Sequence, residues 1–310
     1  MRLHSSFRNP WRLAVLALCP IIAVAEVGCR APEKQAVPGE TVMPGLVVRS
    51  LRQGLSPVRV IDVDLSARGI RVEIAADKIA VRQGRITGEA RTLPEWLRLT
   101  GAVAGVNGGF FGQTVGEYKE IVGLLKLAGK VRVAAPVYRS NSSGVRYARC
   151  ALGLTRSGNP DIAWVTSRPG APQALRRHDS AVVTDAGTPW EMEQAVACGP
   201  RLIRNGKIQI SDRGERLASP GALPRTFLGY GGPAGRRRLV LCAATGLDFA
   251  DCARFLMDYC QRQYRVPCWD AMALDGGGST QAAWRQNGEV TADPDFGTTV
   301  PTAVLVYQDR

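Results

Sequence analysis

The most constraining segment of this chain is Leu274-Asp275-Gly276-Gly277-Gly278-Ser279-Thr280-Gln281. The apolar residues before it, 271–274, predict a buried strand that ends at the Asp275 carboxylate. Three consecutive glycines are unfavourable inside a strand or helix, because glycine loses the most backbone freedom on folding. They allow a ligand to approach bare N–H groups between the Asp275 carboxylate and the two hydroxyls that follow. The alternative is a flexible turn between two strands, although such turns usually need only one or two glycines.

The N-terminus has the pattern of a secretory signal. Three arginines precede an apolar run at residues 13–25, which is too short for a mature membrane helix. Ala23-Val24-Ala25 matches a cleavage site, and Val27-Gly28-Cys29 is similar to a lipoprotein acceptor. Simple secretion and membrane attachment through a lipidated Cys29 both stay open. Either outcome predicts an exported protein, periplasmic or extracellular, with a signal peptide at 1–28, a tether at 29–45 and one domain at 46–310.

The remaining cysteines and histidine exclude several classes of site. The predicted mature domain has six cysteines, an even number that predicts up to three disulfides in an oxidising compartment, with the pairing open. No two of them have the CxxC spacing of a zinc site. The single histidine left, His178, is expected to be a solvated loop residue and cannot supply a multi-histidine metal site. The sequence predicts no cofactor: it leaves room for a divalent cation but shows no ligand cluster for one.

The formal net charge of +13 indicates anionic partners. Removing residues 1–28 takes away three arginines and one glutamate and leaves about +11. An exported protein with this charge is suited to phosphate-bearing polysaccharide or other anionic glycans. Nucleic acid is disfavoured, because the only tight basic run, 236–238, has no aromatic residues interleaved with it.

Hydrophobic periodicity predicts an α+β fold: a strand-rich mixed sheet with few helices, in a single domain. Alternating residues at 58–65 and 70–74 predict strands, and hairpins are predicted at 121–133, 150–165 and 195–208. A short helix is predicted from Thr92 to Gly101, with Glu95 three residues after its N-cap. The one long amphipathic helix is predicted at 248–264, between strands at 239–244 and 271–274. This β-α-β unit would place the glycine turn beyond the carboxyl end of its second strand, where open sheets bind ligands.

Three further motifs accompany the glycine turn, and the first of them resembles it: apolar residues at a predicted strand end, then one polar residue, then glycines. They are Val106-Asn107-Gly108-Gly109-Phe110-Phe111, Cys198-Gly199-Pro200-Arg201-Leu202-Ile203 and Pro224-Arg225-Thr226-Phe227-Leu228-Gly229-Tyr230. Together, in this order, they resemble the phosphodiester glycosidase family over roughly residues 100–308. The resemblance implies cleavage of the bond between a sugar C1 and a phosphate oxygen in a glycosyl phosphodiester. The sugar and the group beyond the phosphate are not indicated.

On this resemblance, Asp275, Arg225 and Asn107 are the predicted catalytic residues. Asp275 would face the anomeric carbon, as nucleophile or as the counter-charge to an oxocarbenium ion. Arg225 would clamp the phosphate, and Asn107 would hold hydroxyl or phosphate oxygens. The predicted substrate-binding residues are Gly108, Gly109, Gly276, Gly277, Gly278, Ser279 and Thr280.

Each assignment has a structural alternative. Asn107 could be a turn former, Arg225 a surface ion-pair residue, and Asp275 a cap for the glycine turn. A second carboxylate is not identified, and Glu117, Glu120 and Asp185 are weak candidates. The alternative function is a non-catalytic envelope module that binds phosphorylated polysaccharide during its assembly or export.

Overall fold

The computed structural model describes residues 39–141, 143–218, 221–231 and 237–309. The predicted signal peptide, Cys29 and the first part of the tether lie outside these residues. The first half of the chain contains β1 (Glu40–Met43), β2 (Leu46–Gln53), β3 (Ser56–Asp64), β4 (Ile70–Ala75), β5 (Ala80–Arg82), β6 (Arg85–Glu89), α1 (Leu93–Thr100), β7 (Ala104–Asn107), β8 (Phe111–Val115), β9 (Tyr118–Ile121), β10 (Leu125–Leu127), β11 (Lys130–Val133), β12 (Tyr138–Arg139), β13 (Arg146–Tyr147) and β14 (Arg149–Leu154). The second half contains β15 (Pro160–Arg168), β16 (Ala171–His178), β17 (Thr188–Pro189), β18 (Gln194–Cys198), β19 (Arg201–Arg204), β20 (Lys207–Ile208), β21 (Leu223–Gly231), β22 (Arg238–Leu247), α2 (Phe249–Tyr264), β23 (Cys268–Ala273), β24 (Ala282–Gln286), β25 (Glu289–Ala292) and β26 (Ala303–Gln308).

Three large sheets organise these strands. An eight-stranded sheet has the order β1-β2-β3-β22-β21-β23-β19-β20, and a seven-stranded sheet the order β11-β10-β18-β14-β15-β16-β17. A five-stranded sheet has the order β25-β24-β7-β26-β4. The smaller sheets are β5-β6-β9-β8 and the pair β12-β13. The strand-rich α+β architecture predicted from the sequence is confirmed, with two α-helices in the described part of the chain.

The predicted β-α-β unit is present, with one strand inserted in it. Helix α2 connects β22 to β23, and β21 lies between these two strands and pairs antiparallel with both. The strands β22 and β23 therefore run in the same direction without being neighbours. Sequence periodicity located the helix and both strands. The insertion of β21 between them is a pairing with a segment from earlier in the chain, and such a pairing leaves no local signal in the sequence.

The local sequence explains where both helices begin and where α1 ends. The side chain of Thr92 accepts a hydrogen bond from the Glu95 N–H, and the Glu95 carboxylate accepts one from the Thr92 N–H, so α1 starts with a complete capping box. Gly101 ends α1 in the left-handed conformation. The Asp248 side chain caps α2 by accepting from the Asp251 N–H at 2.7 Å.

Four hydrophobic clusters of described residues hold the sheets in place, and two of them position the ends of the strands. The largest hydrophobic core contains residues from all three large sheets, for example Ile61, Trp164 and Val304. On the other face of the eight-stranded sheet, α2 packs against the strands, and Phe255 meets Phe227 edge-on with ring centroids 6.1 Å apart. Because the three large sheets share one core, the ends of β7, β18 and β23 are brought close together.

Two regions differ from the sequence analysis in detail. Residues 40–43 lie in the predicted tether but form β1, which pairs with β2. His178, expected in a solvated loop, is buried on β16, where Nε2 lies 2.9 Å from the Thr166 hydroxyl and Nδ1 lies 3.1 Å from the Asp185 carboxylate. The burial of β16 does not alternate along the strand, so periodicity could not indicate that His178 is buried.

Candidate active site

The candidate site lies where the ends of β7 and β23 meet. Strand β23 ends at Ala273, and Asp275 follows two residues later. The Asp275 N–H donates to the carbonyl of Gly108 at 3.1 Å, just beyond the end of β7. The two sequence motifs that looked alike, around Asn107 and around Asp275, are therefore joined by a backbone hydrogen bond.

The buried side chain of Asn107 connects the two strand ends through hydrogen bonds. Its Nδ2 donates to the carbonyl of Asp275 at 2.8 Å. Its Oδ1 accepts from the Thr226 hydroxyl at 2.6 Å and from the Gln281 N–H at 3.0 Å. The side chain is 0% exposed. Asn107 therefore holds both ends of the glycine turn through these hydrogen bonds. Contact of its side chain with a substrate stays a prediction.

The predicted substrate-binding glycines divide into two groups. A Cβ on Gly108 would overlap Thr302, and a Cβ on Gly109 would overlap the carbonyl of Ala197. These two glycines therefore allow strands to pack closely. A Cβ on Gly276 would lie 2.9 Å from the carbonyl of Pro224, which is another close approach of protein to protein.

The other two glycines are open to an incoming molecule. Gly277 has φ +62° and no described atom within 4 Å of its ideal Cβ position. Gly278 has only the Thr298 hydroxyl nearby, at 3.7 Å. The short 3₁₀ turn Gly277–Ser279 therefore presents bare backbone beside Asp275.

The two hydroxyls after the glycines have different surroundings. The Ser279 hydroxyl hydrogen-bonds the Asp275 carboxylate and lowers its pKa. Thr280 is 0% exposed, and its hydroxyl has no hydrogen-bond partner among the described residues. Ser279 thus belongs to the immediate surroundings of the carboxylate, whereas the Thr280 hydroxyl points into the protein.

Asp275 carries the strongest electrostatic signal of the site. Burial raises the pKa of its carboxyl from 3.8 to about 6, against the opposing effects of Ser279, the Gly276 N–H and Lys119. A carboxyl with such a pKa exchanges its proton near neutral pH, which suits acid, base or nucleophilic chemistry. A plain turn cap on a protein surface would not need this desolvation.

Lys119 is a site residue that the sequence did not indicate. It lies on β9, and its Nζ donates to the carbonyl of Thr299 at 2.7 Å and lies 4.4 Å from the ring centroid of Phe111. Burial lowers the pKa of Lys119, while the charge of Asp275 raises it. Lys119 is the cation whose charge reaches Asp275, although 156 residues separate them in the chain. No periodicity or motif links such distant residues.

Arg225 sits behind the glycine turn. Its Nε donates to the carbonyl of Leu247 at 3.2 Å, its Nη2 donates to the carbonyl of Gly221 at 3.0 Å, and the guanidinium lies 4.2 Å from the ring centroid of Phe249. The residue is 8% exposed, and its Cδ lies 3.7 Å from the ideal Cβ position of Gly276. The aliphatic part of the Arg225 side chain therefore packs against the glycine turn. Its role as a phosphate clamp stays a prediction.

The other titratable groups of the sequence analysis lie outside this arrangement. Glu120 accepts from Arg85 at 2.8 Å, and Asp185 accepts from the Gly187 N–H at 2.8 Å and contacts His178. Among the described residues, no group of three or more histidine, cysteine, aspartate or glutamate side chains is arranged to hold a metal ion. Neither described helix is long and apolar enough to cross a membrane.

The six cysteines of the domain are all buried, and all are free thiols. Cys150 and Cys198 are direct partners across β14 and β18. Burial raises the pKa of both thiols well above the usual value, so they are protonated at neutral pH. The structure therefore shows none of the predicted disulfides, and their formation in an oxidising compartment stays a prediction.

Comparison with solved structures shows the same fold in distant proteins. The chain is similar to a protein of Synechocystis (16% identity, TM-score 0.54, covering 88% of this chain and 64% of that one). It is also similar to the catalytic domain of zebrafish N-acetylglucosamine-1-phosphodiester α-N-acetylglucosaminidase, auto-inhibited by its pro-peptide (18% identity, TM-score 0.53, 89% and 87% coverage). A third similar structure is a Burkholderia pseudomallei protein described as exported (14% identity, TM-score 0.51, 81% and 74% coverage).

The family itself is identified from the sequence. A search of curated proteins found no match. The phosphodiester glycosidase family model matches residues 100–307, which is more than half of the chain and contains the strand ends, the glycine turn and Lys119. The chain therefore belongs to the phosphodiester glycosidase family.

Proposed function

We propose that this protein is an exported hydrolase that cleaves the bond between the sugar C1 and a phosphate oxygen in a glycosyl phosphodiester or a related anionic glycan. The observation that carries the proposal is Asp275: a desolvated carboxyl with a pKa of about 6, beside open backbone at Gly277 and Gly278. Family membership supports this reaction type, and the zebrafish structure is that of an enzyme named for it.

The chemistry follows from charge. As the C1–O bond breaks, positive charge develops on the sugar ring and negative charge on the departing phosphate. The Asp275 carboxylate would attack C1 or stabilise the oxocarbenium ion, and water would supply the new C1 hydroxyl. A phosphate monoester is a stable leaving group, so a nearby cation can replace a strong general acid.

Two cations are candidates for the departing phosphate. Arg225 is the one predicted from the sequence, and its Nη1 is the part of the guanidinium not engaged by Leu247 and Gly221. Lys119 is the one whose charge acts on Asp275, and its ammonium has donors beyond the single bond to Thr299. We assign the scissile phosphate to the Lys119 side, with Arg225 as a second contact.

A non-catalytic envelope module that binds phosphorylated polysaccharide is the second candidate. It is favoured by the basic charge of the chain and by the lack of a second carboxylate among the groups that shift the pKa of Asp275. In both readings the protein is exported, to the periplasm or beyond, and lipidation of Cys29 would attach it to the membrane. The comparison protein described as exported supports export, without bearing on the anchor.

The test uses protein expressed from the full chain, with methyl-phospho-N-acetylglucosamine and UDP-N-acetylglucosamine as substrates. Released sugar is measured by mass spectrometry for the wild type, Asp275→Asn and Arg225→Ala. Release from the wild type that is lost in folded Asp275→Asn supports the hydrolase. No release from either substrate, together with tight binding of phosphorylated envelope polysaccharide, supports the binding module instead.

A further inference from the structure

A third cation, besides Lys119 and Arg225, lies near the candidate site and contacts aromatic rings. Arg149, at the start of β14, has its guanidinium carbon 5.2 Å from the ring centroid of Tyr138, 5.6 Å from that of Tyr147 and 5.9 Å from that of Phe110. The two tyrosine rings are stacked, with centroids 5.3 Å apart. The side chain of Arg149 also hydrogen-bonds the Tyr138 hydroxyl. A guanidinium has five N–H donors, so further donors at its edge are available to another acceptor.

Arg149 has no carboxylate partner among the described residues. Its Nη1 donates to the main-chain carbonyl of Glu215. The Glu215 carboxylate, which is 0% exposed, accepts instead from Cys150 N, Arg201 N, the Trp164 indole and the Ser211 hydroxyl. A half-buried cation without a counter-charge loses solvation and gains no ion pair. This imbalance would be relieved by an anionic ligand.

The position of Arg149 relative to Asp275 follows from the backbone. Phe110 comes two residues after Gly108, which is hydrogen-bonded to Asp275. The next residue, Phe111, contacts Lys119. The two consecutive phenylalanines thus contact two cations, Arg149 and Lys119. Ala197 connects the two places: an ideal Cβ on Gly109 would overlap the Ala197 carbonyl, and one on Gly123 would lie 3.0 Å from the Ala197 Cβ and 3.7 Å from the Tyr138 hydroxyl.

We infer that Arg149, Tyr138, Tyr147 and Phe110 form a second subsite, adjoining the Asp275 site, that binds a sugar bearing a phosphate or carboxylate group. Arginine pairs with either group through parallel N–H bonds, and the tyrosine rings offer apolar faces for a sugar ring. The inference rests on the proposed function only in that the acidic sugar would belong to the same glycan as the scissile linkage.

Binding of small acidic sugars tests the subsite without turnover. Glucose 6-phosphate, glucuronic acid and glucose are titrated calorimetrically into the full-length protein and into Arg149→Met, Arg149→Lys and Arg146→Met. Arg146, three residues away on β13, is exposed and serves as the matched loss of charge. Thermal unfolding checks that each variant is folded, and Arg149→Lys keeps the charge if Arg149→Met does not fold.

We expect an acidic sugar to bind the wild type and glucose not to bind. Its affinity should fall at least tenfold in Arg149→Met, by an intermediate amount in Arg149→Lys, which loses the two-pronged geometry, and less than twofold in Arg146→Met. A phosphate or carboxylate preference would identify the group that is bound. Equal affinity in wild type and Arg149→Met, equal losses in the Arg149→Met and Arg146→Met variants, or no binding of either acidic sugar would overturn the inference.

Turnover separates this inference from the proposed function. Methyl-phospho-N-acetylglucosamine has no second anionic group, so Arg149→Met should keep kcat/KM within about threefold of the wild type. A larger loss of kcat/KM in Arg149→Met would refute a subsite away from the scissile bond. Binding through Arg149 in a protein that never turns over would contradict the proposed function alone.

Discussion

The partly buried carboxyl of Asp275 should lower the stability of the protein at neutral pH, and Asp275→Asn should restore that stability. The pKa of Asp275 is about 6 in the folded protein, compared with an ordinary value of 3.8. Between pH 3.8 and about 6, the Asp275 carboxyl therefore keeps its proton in the folded state and has released it in the unfolded chain. Stability falls as pH rises from about 4 to 6 and then stays at the lower level.

The size of this effect follows from the same two values. A difference of about two pKa units at 1.36 kcal/mol each gives roughly 3 kcal/mol as the upper limit of the cost above pH 6. An asparagine has no charge to desolvate and can keep the hydrogen bond with Ser279. We expect Asp275→Asn to raise the free energy of unfolding by about 1–3 kcal/mol at pH 7.5 and by less than about 0.5 kcal/mol at pH 4.

Urea unfolding at the two pH values measures this difference. Asp258→Asn, on the exposed face of α2, is the matched control and should change stability by less than about 0.5 kcal/mol at both pH values. Equal stabilities of wild type and Asp275→Asn at pH 7.5 would refute the desolvation argument. A stabilisation of the same size at pH 4 would show that the gain does not come from the carboxyl charge.

Three further substitutions test other parts of the site. Lys119→Met should move the acidic limb of the pH profile of kcat/KM above about 6, because the Lys119 charge lowers the pKa of Asp275, and Lys119→Arg should restore it. Asn107→Ala should lower the free energy of unfolding in urea by roughly 2–4 kcal/mol, since it leaves two buried partners unpaired. Gly109→Ala should destabilise the protein more than Gly277→Ala in the same assay. The first meets the Ala197 carbonyl, whereas the second enters open space and costs only about 1 kcal/mol for its left-handed conformation.

Local sequence patterns predicted a large part of the fold. The capping box at Thr92 and the amphipathic stripe of α2 are local signals, and both helices are where they were predicted. Of the hairpin predicted at 195–208, the part formed by β19 and β20 is present, whereas β18 lies in the seven-stranded sheet. The pairing of strands was not predictable in the same way. The insertion of β21 between β22 and β23 depends on contacts between distant segments.

In the candidate site, too, local sequence signals were informative and contacts between distant segments were not predictable. The similarity of the Asn107 and Asp275 motifs, apolar residues followed by a polar residue and glycines, indicated two strand ends, and these ends do meet. The sequence could not distinguish glycines needed for close packing from glycines open to a ligand, because both leave the same composition. It also could not associate Lys119 or Arg149 with Asp275, since their proximity arises only from the folding of separate sheets.

In the proposed reaction, the bond between the sugar C1 and oxygen is broken, and Asp275 lies at C1. Hydrolysis of methyl-phospho-N-acetylglucosamine in ¹⁸O-labelled water tests it most directly, with the methyl phosphate product examined by ³¹P NMR and mass spectrometry. The account predicts methyl phosphate without ¹⁸O, the label entering the sugar at C1, and loss of product formation in Asp275→Asn. Methyl phosphate that carries ¹⁸O would show attack at phosphorus and contradict the placement of Asp275 at the anomeric carbon.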